Sequence, residues 1–384
     1  MIDPSILFST FSSKFPSSNE TIRHFSAPAR INIIGEHVDY LGGLVLPAAI
    51  DFSVHALIQR NGTDQFHLYS ADFEQQIKIS RPFKNSKDFQ WSDYIQGVIT
   101  EIEKKGLNVP GFNLLLTGNI PQGAGLSSSA ALEVVVGYAI SELFQLNLSR
   151  ESIALIGQAA ENNFVGTNCG IMDQFIIATG KEKYCISLNT SSLKYEYHEF
   201  DLGEFEFYLI NSNVKHSLKD SDYNQRRLEC ESALSKIKKS HPNVKDLYSI
   251  DFPISTDLGL SQNESKRVGH VVSEKIRTNI IINALRDGSI NSVGNALYEC
   301  HWSLSNQFEV SCPETDFIVS SLKAENATGA RMIGGGFGGC VLVLDKIKNF
   351  SSTSSIIEEK FVTKFGHPVS IYKFKIADGV KELS

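Results

Sequence analysis

The 384-residue chain has no CxxC pair, no lysine-bearing GxxxxGK[ST] loop, no basic excess and no apolar run approaching the roughly 20 residues that span a bilayer. Each absence removes a class of function. Its six cysteines, Cys169, Cys185, Cys230, Cys300, Cys312 and Cys340, are widely and irregularly spaced. That spacing argues against a cysteine-built zinc site and suits reduced structural thiols in a cytosol. A net charge of −7 argues against a general nucleic-acid footprint, which needs a basic face. The start, MIDPSILFSTFSSKF, lacks the basic lead and continuous apolar core of a secretory signal. No repeat or low-complexity tract stands out. The expectation is a cytoplasmic globular protein with no membrane or nucleic-acid partner, long enough for two domains or one large one.

What is present alternates between strand and helix signals. In ARINIIG (29–35), Ile31 and Ile33 share one face and Arg30 and Asn32 the other, the pattern of a half-buried strand. HALIQR (55–60) and QFHLYSA (65–71), separated by NGTD, read as a hairpin, because Asn-Gly is the strongest short turn signal. FNLLLTG (112–118) is another strand. Leu132 to Phe144 is apolar nearly all round and reads as a buried helix, and Glu151 to Phe164 as a second helix with Ser149 as N-cap. A long charged helix near Tyr223–Lys239, a loop-rich region up to about 265 and two further helices precede RMIGGGFGGCVLVLD. Strands and helices intersperse without a regular βαβ rhythm, which favours α+β, with a boundary in 180–205.

A glycine-rich loop runs into the buried helix as PQGAGLSSSAALEVVVGYAI (121–140). It offers Gly123-Ala-Gly125-Leu-Ser-Ser where a dinucleotide fingerprint needs a third glycine. The other match by letters, Gly334-x-Gly336-x-x-Gly339, leads into CVLVL, a strand where a helix is required. A phosphate site remains. Gly123 and Gly125 let the backbone approach an anion, and the serines set N–H and hydroxyl groups at a helix N-terminus with roughly +0.5 charge. A serine hydroxyl can also ligate Mg²⁺ carried by a nucleotide. The plainer alternative is a strand-to-helix turn with serine caps.

Four acids complete the candidates. Glu36, His37 and Asp39 lie in a short loop bounded by glycines, with Arg30 on the strand leading in. Carboxylates so spaced suit a polyhydroxylated ligand, since each can accept from two vicinal hydroxyls; the alternative is a solvated turn. Asp173 enters the apolar run of CGIMDQFIIATG, where an aspartate needs a partner, and Arg30 would keep it ionised and able to receive a proton. It could instead be a cap or a structural ion pair. Glu161 is a candidate magnesium ligand or an ordinary exposed helix glutamate.

Together these segments resemble the galactokinases of the GHMP kinase superfamily. ARINIIGEHVDYLGGLVLPAAID resembles the galactokinase signature, PQGAGLSSSAALE the ATP-phosphate loop, CGIMDQF the segment of the catalytic aspartate and RMIGGGFGGCVLV the third glycine-rich motif. NSNVKHSLKDSDYNQRRLEC and HWSLSNQFEVSCPETD are similar to further galactokinase segments, so the resemblance runs in order from about residue 25 to 345. It implies a two-domain α+β fold: a ribosomal protein S5 domain 2-like domain over 1–195, and a ferredoxin-like domain over 196–384. The active site would lie between them. It further implies that Glu36, His37, Val38, Asp39 and Tyr223 line the sugar site. Gly123, Ala124, Gly125, Leu126, Ser127, Ser128 and Ser129 would hold ATP phosphate, with Trp91 near the adenine. Ser129 and Glu161 would hold Mg²⁺, Asp173 would be the base and Arg30 the charge stabiliser.

The implied reaction moves the γ-phosphoryl of ATP to the anomeric hydroxyl of galactose, with galactose and ATP as the small-molecule partners and a monomer favoured. Three rivals stand beside it. One is a kinase of the same branch acting on another sugar such as N-acetylgalactosamine. Another is a sugar sensor without turnover, which intact Arg30, Asp173 and serine loop oppose. The third is a dinucleotide-dependent oxidoreductase, which requires the glycine loops to be misread.

Overall fold

Helix α1 (Pro4–Lys14), capped by the Asp3 carboxylate on the Ser5 amide, precedes β1 (Arg23–Asn32), β2 (Leu44–Val45) and β3 (Pro47–Arg60). The computed structural model describes residues 3–16, 19–86, 90–214, 219–251, 253 and 258–383. A hairpin of β4 (Phe66–Ser70) and β5 (Gln75–Ile79) leads to α2 (Trp91–Lys104) and β6 (Phe112–Gly118). Helices α3 (Ser128–Phe144), α4 (Arg150–Ala160) and α5 (Met172–Thr179) follow, then β7 (Tyr184–Asn189), β8 (Tyr195–Glu199) and β9 (Phe205–Asn211). The remainder is α6 (Lys219–Ser240), α7 (Gln262–Asp287), α8 (Ile290–Ser303), α9 (Pro313–Ala324), β10 (Gly329–Met332), β11 (Cys340–Lys346), α10 (Ile347–Phe365), β12 (Ser370–Lys373) and β13 (Lys381–Leu383). Residues 215–218 of NSNVKHSLKDSDYNQRRLEC, and 252 and 254–257 of the loop-rich stretch, lie outside the described residues.

Six strands form one sheet in the order β13-β1-β3-β6-β4-β5, and β2, β7 and β8 form a small second one. Helices α3 and α5 pack on β1 and β3. The apolar residues of α3, among them Val134, Val135, Ala139 and Ile140, are buried on every side as its composition requires. The third sheet, β10-β11-β9-β12, is antiparallel throughout, and its order is the ferredoxin-like one expected for the second half. Helices α9 and α10 close its other face through Ile318, Leu322, Phe350 and Phe361.

Three expectations fail here, two of them through long-range partners. The Asn61-Gly62 turn forms, with the Thr63 amide on Asn61 Oδ1 at 3.0 Å, but β3 and β4 do not pair. Strand β6 inserts between them, antiparallel to β3 and parallel to β4. Its apolar run, with Leu114 and Leu115 fully buried, gains more from the centre of the sheet than a local hairpin would leave it. β1 is not half-buried: Arg30 and Asn32 are nearly as enclosed as Ile31 and Ile33, because Asp173 and the Gly125 loop cover Arg30 and Arg331 reaches the Asn32 carbonyl. Three helices rather than two precede RMIGGGFGG, since α9 forms behind Pro313.

Candidate active site

β1 carries Arg30 to the point where α3 and α5 begin. Its guanidinium makes a two-point pair with Asp173, Nε to Oδ1 at 2.7 Å and Nη2 to Oδ2 at 2.8 Å, while Nη1 donates to the Gly125 carbonyl at 2.7 Å. Such a fork fixes the carboxylate in plane as well as in place. Burial lowers the affinity of Arg30 for its proton, but the Asp173 charge and hydrogen bonds, with the Glu36 and Asp39 charges, together outweigh it and the net shift is upward. Ser127 takes a left-handed backbone, φ 62°, and its hydroxyl donates to Asp173 Oδ2 instead of capping α3. The serine-cap alternative therefore fails at Ser127. The first amides of α3 have no side-chain cap, and that leaves them for an anion.

The loop after β1 is not a solvated turn. Glu36, His37 and Val38 are all buried. With Arg30, Asp39, Asp173 and Tyr223, Glu36 and His37 line a cavity of about 80 Å³. Val38 does not reach it: its side chain joins the core and its carbonyl receives the Leu41 and Gly43 amides. Glu36 pairs with Arg331 on β10, Nη1 to Oε2 at 2.8 Å. Burial raises the Glu36 carboxyl, with Arg331 and Arg30 opposing it. Asp39 is pushed up to about 7 by burial and then by the Asp173 and Glu36 charges. His37 is pressed down to about 3 by burial, so it is neutral; it shares a hydrogen bond with the Tyr40 hydroxyl and packs on the Phe308 ring at 4.8 Å. Tyr223, brought by α6, lies 5.6 Å from the His37 ring.

A second, wider cavity of about 620 Å³ opens on the other side of the glycine loop. Trp91, Gly123, Ser128 and Ser129 line it, joined by Phe73 and Tyr94. Gly123 and Gly125 hold φ of +69° and +71°, left-handed conformations that side chains rarely tolerate. Ala124 and Leu126 turn their side chains into the core, so the loop shows its backbone outward.

Glu161 stands where α4 loosens into one π turn, Glu161–Val165, and it is not an exposed helix glutamate. Burial raises its carboxyl, against hydrogen bonds from Cys169, Ser129 and Gln174. Gln174 Nε2 reaches both Glu161 Oε2 at 2.8 Å and Glu133 Oε2 at 2.9 Å, while Glu133 Oε1 and Gln174 Oε1 have no partner. The Ser129 hydroxyl and the Glu161 carboxylate are oxygen donors of the kind a hard cation such as Mg²⁺ takes, with waters and phosphate oxygens as its other ligands, although the Cys169 thiol and the Gln174 amide also lie on Glu161 Oε2.

Several residues of the site carry no sequence signal of their own. Tyr40 and Cys169 line the small cavity, beside Gly334 and Gly335. Gly170 is there by necessity: a Cβ on it would stand 1.8 Å from Asp39 Oδ2. The CGIMDQ segment contains both Cys169 and Gly170, but only Asp173 has a charge to draw the eye. Among the described residues no cluster of three His, Cys, Asp or Glu side chains could hold a metal, and no helix is long and apolar enough to cross a membrane.

Known proteins share this arrangement. Residues 9–60 match the galactokinase galactose-binding signature, 93–181 the GHMP kinases N-terminal domain and 281–352 the GHMP kinases C-terminal domain. The galactokinase of Thermosipho africanus is 45% identical over 361 residues, 93% of this chain and 99% of that protein. The crystal structure of Lactococcus lactis galactokinase complexed with galactose superposes with a TM-score of 0.95 at 34% identity, covering 99% of this chain and 100% of that one. Methanococcus jannaschii mevalonate kinase, 17% identical with a TM-score of 0.66 over 94% of this chain and 100% of its own, shares the fold. At 45% identity over nearly the whole of both chains, and with both GHMP kinase domains and the galactose-binding signature matched, the chain belongs to the galactokinase family of the GHMP kinases.

Proposed function

We propose that this protein phosphorylates the anomeric hydroxyl of galactose with ATP, giving galactose 1-phosphate and ADP. One observation carries the assignment: the phosphate loop and the sugar-sized cavity converge on Asp173. Arg30 and Ser127 hold that carboxylate, and Arg30 also holds the loop through the Gly125 carbonyl. A sugar hydroxyl in the small cavity and a γ-phosphate on the loop would therefore meet beside one acid.

In the transfer, the C1 oxygen bonds to the γ-phosphorus as the bond to the β,γ-bridging oxygen breaks and ADP leaves. The hydroxyl proton passes to Asp173, whose two oxygens already accept three hydrogen bonds and retain a lone pair toward the cavity. Arg30 faces the charge spreading over the transferring group. The transition state is loose, so most of the work is positioning and charge neutralisation, shared by the α3 amides and the serine loop. Mg²⁺ held by Ser129 and Glu161 would screen the phosphate charges. Trp91 and Phe73 suit the adenine face of the wide cavity. Glu36, Asp39 and Tyr223 would grip the hydroxyls that distinguish galactose from glucose, with His37 as a neutral neighbour. Division into halves at 195/196 and a cytoplasmic location, supported by six cysteines outside any disulfide, belong to the same proposal.

The test is kcat/KM with ATP for galactose, 4-deoxygalactose, glucose and N-acetylgalactosamine. A site built to bond a hydroxyl rejects the analogue lacking it by up to ~10⁴-fold. Equal use of glucose would defeat the sugar assignment. Preference for N-acetylgalactosamine would move the protein to another sugar of the same branch, and absence of phosphoryl transfer to any of them would indicate a sensor.

A further inference from the structure

Arg331 lies on β10, away from the phosphate loop, and is fully buried. It donates Nε–H to the Ile33 carbonyl at 2.9 Å, Nη1–H to the Met332 carbonyl at 3.0 Å and an Nη2–H to the Asn32 carbonyl. Nη1 also pairs with Glu36 Oε2 at 2.8 Å. Three of these four acceptors belong to the strand end and loop that carry the sugar-facing acids, 298 residues earlier at Ile33.

The rest of that loop is held from the same side. Glu274 on α7 accepts the amides of Gly35 and Glu36 at 2.9 and 3.1 Å, and His270 donates Nε2–H to the Glu36 carbonyl at 3.1 Å. Burial pushes Glu274 up, but Arg277, paired at 2.7 Å, with His270 and Arg331 behind it, holds it at about 2. Glu36 is thus fixed at its amide, its carbonyl and its carboxylate by three different side chains of the second half.

We infer that Arg331 is a positioning residue for sugar recognition, orienting the Glu36 carboxylate toward the galactose hydroxyls without touching the sugar or the nucleotide. The inference rests on the small cavity being the galactose site. An arginine suits the task because its planar fork reaches three carbonyls and a carboxylate at once, whereas a lysine ammonium offers one point charge. Among the charges acting on Glu36, Arg331 most strongly favours the ionised form, with Arg30 next. An ionised Glu36 accepts from two hydroxyls; a protonated one surrenders an acceptor. Arg331 also leads through Met332 and Ile333 to Gly334, whose added Cβ would stand 3.1 Å from the Gly125 carbonyl. Its own contacts nevertheless all fall on the sugar side or on β10.

The experiment measures kcat and separate KM values for galactose and ATP in the wild type, Arg331→Lys, Arg331→Met, Glu36→Gln and the Glu36→Gln/Arg331→Lys double variant, with thermal melts for each. Loss of about 1 Å of registration costs about a hundredfold, so Arg331→Met should raise the galactose KM by that order and Arg331→Lys by about tenfold, with the ATP KM unchanged. If Arg331 acts through Glu36, the double variant will bind galactose no more weakly than Glu36→Gln alone. A purely structural arginine would give multiplied losses, or galactose and ATP KM values that move together, and either result overturns the inference. A wild-type galactose KM in a folded Arg331→Lys protein overturns it as well. Arg331→Lys keeps the buried charge and carries the test if Arg331→Met does not fold. A wild type that does not phosphorylate galactose overturns the functional assignment and this inference with it; multiplied losses in an active wild type overturn the inference alone.

Discussion

The two cavities on either side of the Gly123–Ser129 loop are built on opposite plans. The sugar-facing one is small, about 80 Å³, and crowded with charge: Arg30, Glu36, Asp39 and Asp173 all border it. The other is nearly eight times larger by volume, about 620 Å³, and is lined by aliphatic and aromatic side chains, hydroxyls and glycines, with a single acid, Asp72. A buried polar site discriminates because each group left unpaired is costly, whereas backbone amides and ring faces accept any ligand of the right shape. Selectivity should therefore reside in the small cavity, and affinity for a triphosphate in the large one.

The sharpest way to break that contrast is Asp173→Asn, which sits on the boundary. It should reduce turnover by about 10²–10⁴-fold, the usual range for a general base, while isothermal titration still shows galactose and ATP binding. A variant within a few-fold of wild type would sink the base assignment. Gly170→Ala strikes one side alone. Its methyl would displace the Asp39 carboxylate, so the galactose KM should rise about a hundredfold with the ATP KM unchanged. Ser129→Ala strikes the other side: the magnesium concentration for half-maximal rate should rise about tenfold, with galactose binding intact. Normal magnesium dependence would remove Ser129 from the metal site.

The smallest effect is a pH dependence confined to the crowded cavity. Asp39 titrates near 7 in the folded chain, well above its ordinary range. The folded protein without sugar therefore holds that proton more tightly than the unfolded chain. The stability this gives is present below the ordinary carboxylate range and is lost as pH rises through about 7. Hydroxyls donating to Asp39 favour the ionised form, so protection by galactose should grow over the same interval. Thermal melts at pH 6 and pH 8, with and without galactose, should show a several-fold gain in galactose affinity at the higher pH. Asp39→Asn should flatten the slope, and protection by ATP should not share it.

Much of this architecture is legible in local sequence. The all-round apolar α3 and the Ser149 cap of α4 are read directly, and the glycine-serine loop and the spacing of Glu36 and Asp39 give rise to the anion-site and hydroxyl-binding proposals. Legibility ends where a residue's role depends on a distant partner. Glu36 looks like a surface acid until Arg331 arrives beside it, and Gly170 has no meaning without Asp39. The failed hairpin has the same cause. Asn61-Gly62 encodes the turn faithfully, but which strand lies beside β3 is decided by β6, more than fifty residues downstream. Glu161 was ambiguous for the reverse reason: helix periodicity does not record the π turn that lies at its position.

The grip of Glu274 on the Gly35 and Glu36 amides has a consequence for the protein during its own synthesis. The two partners at Glu36 are 238 residues apart. At ribosomal speeds of about 5–20 residues per second, roughly 12–48 s pass between the emergence of Glu36 and that of Glu274. Until then the acidic loop, though already translated, has only water to bond its amides. The nascent first half can pair β1 with β3 and β6, but β13 is not yet made and the loop that carries Glu36 is not yet braced.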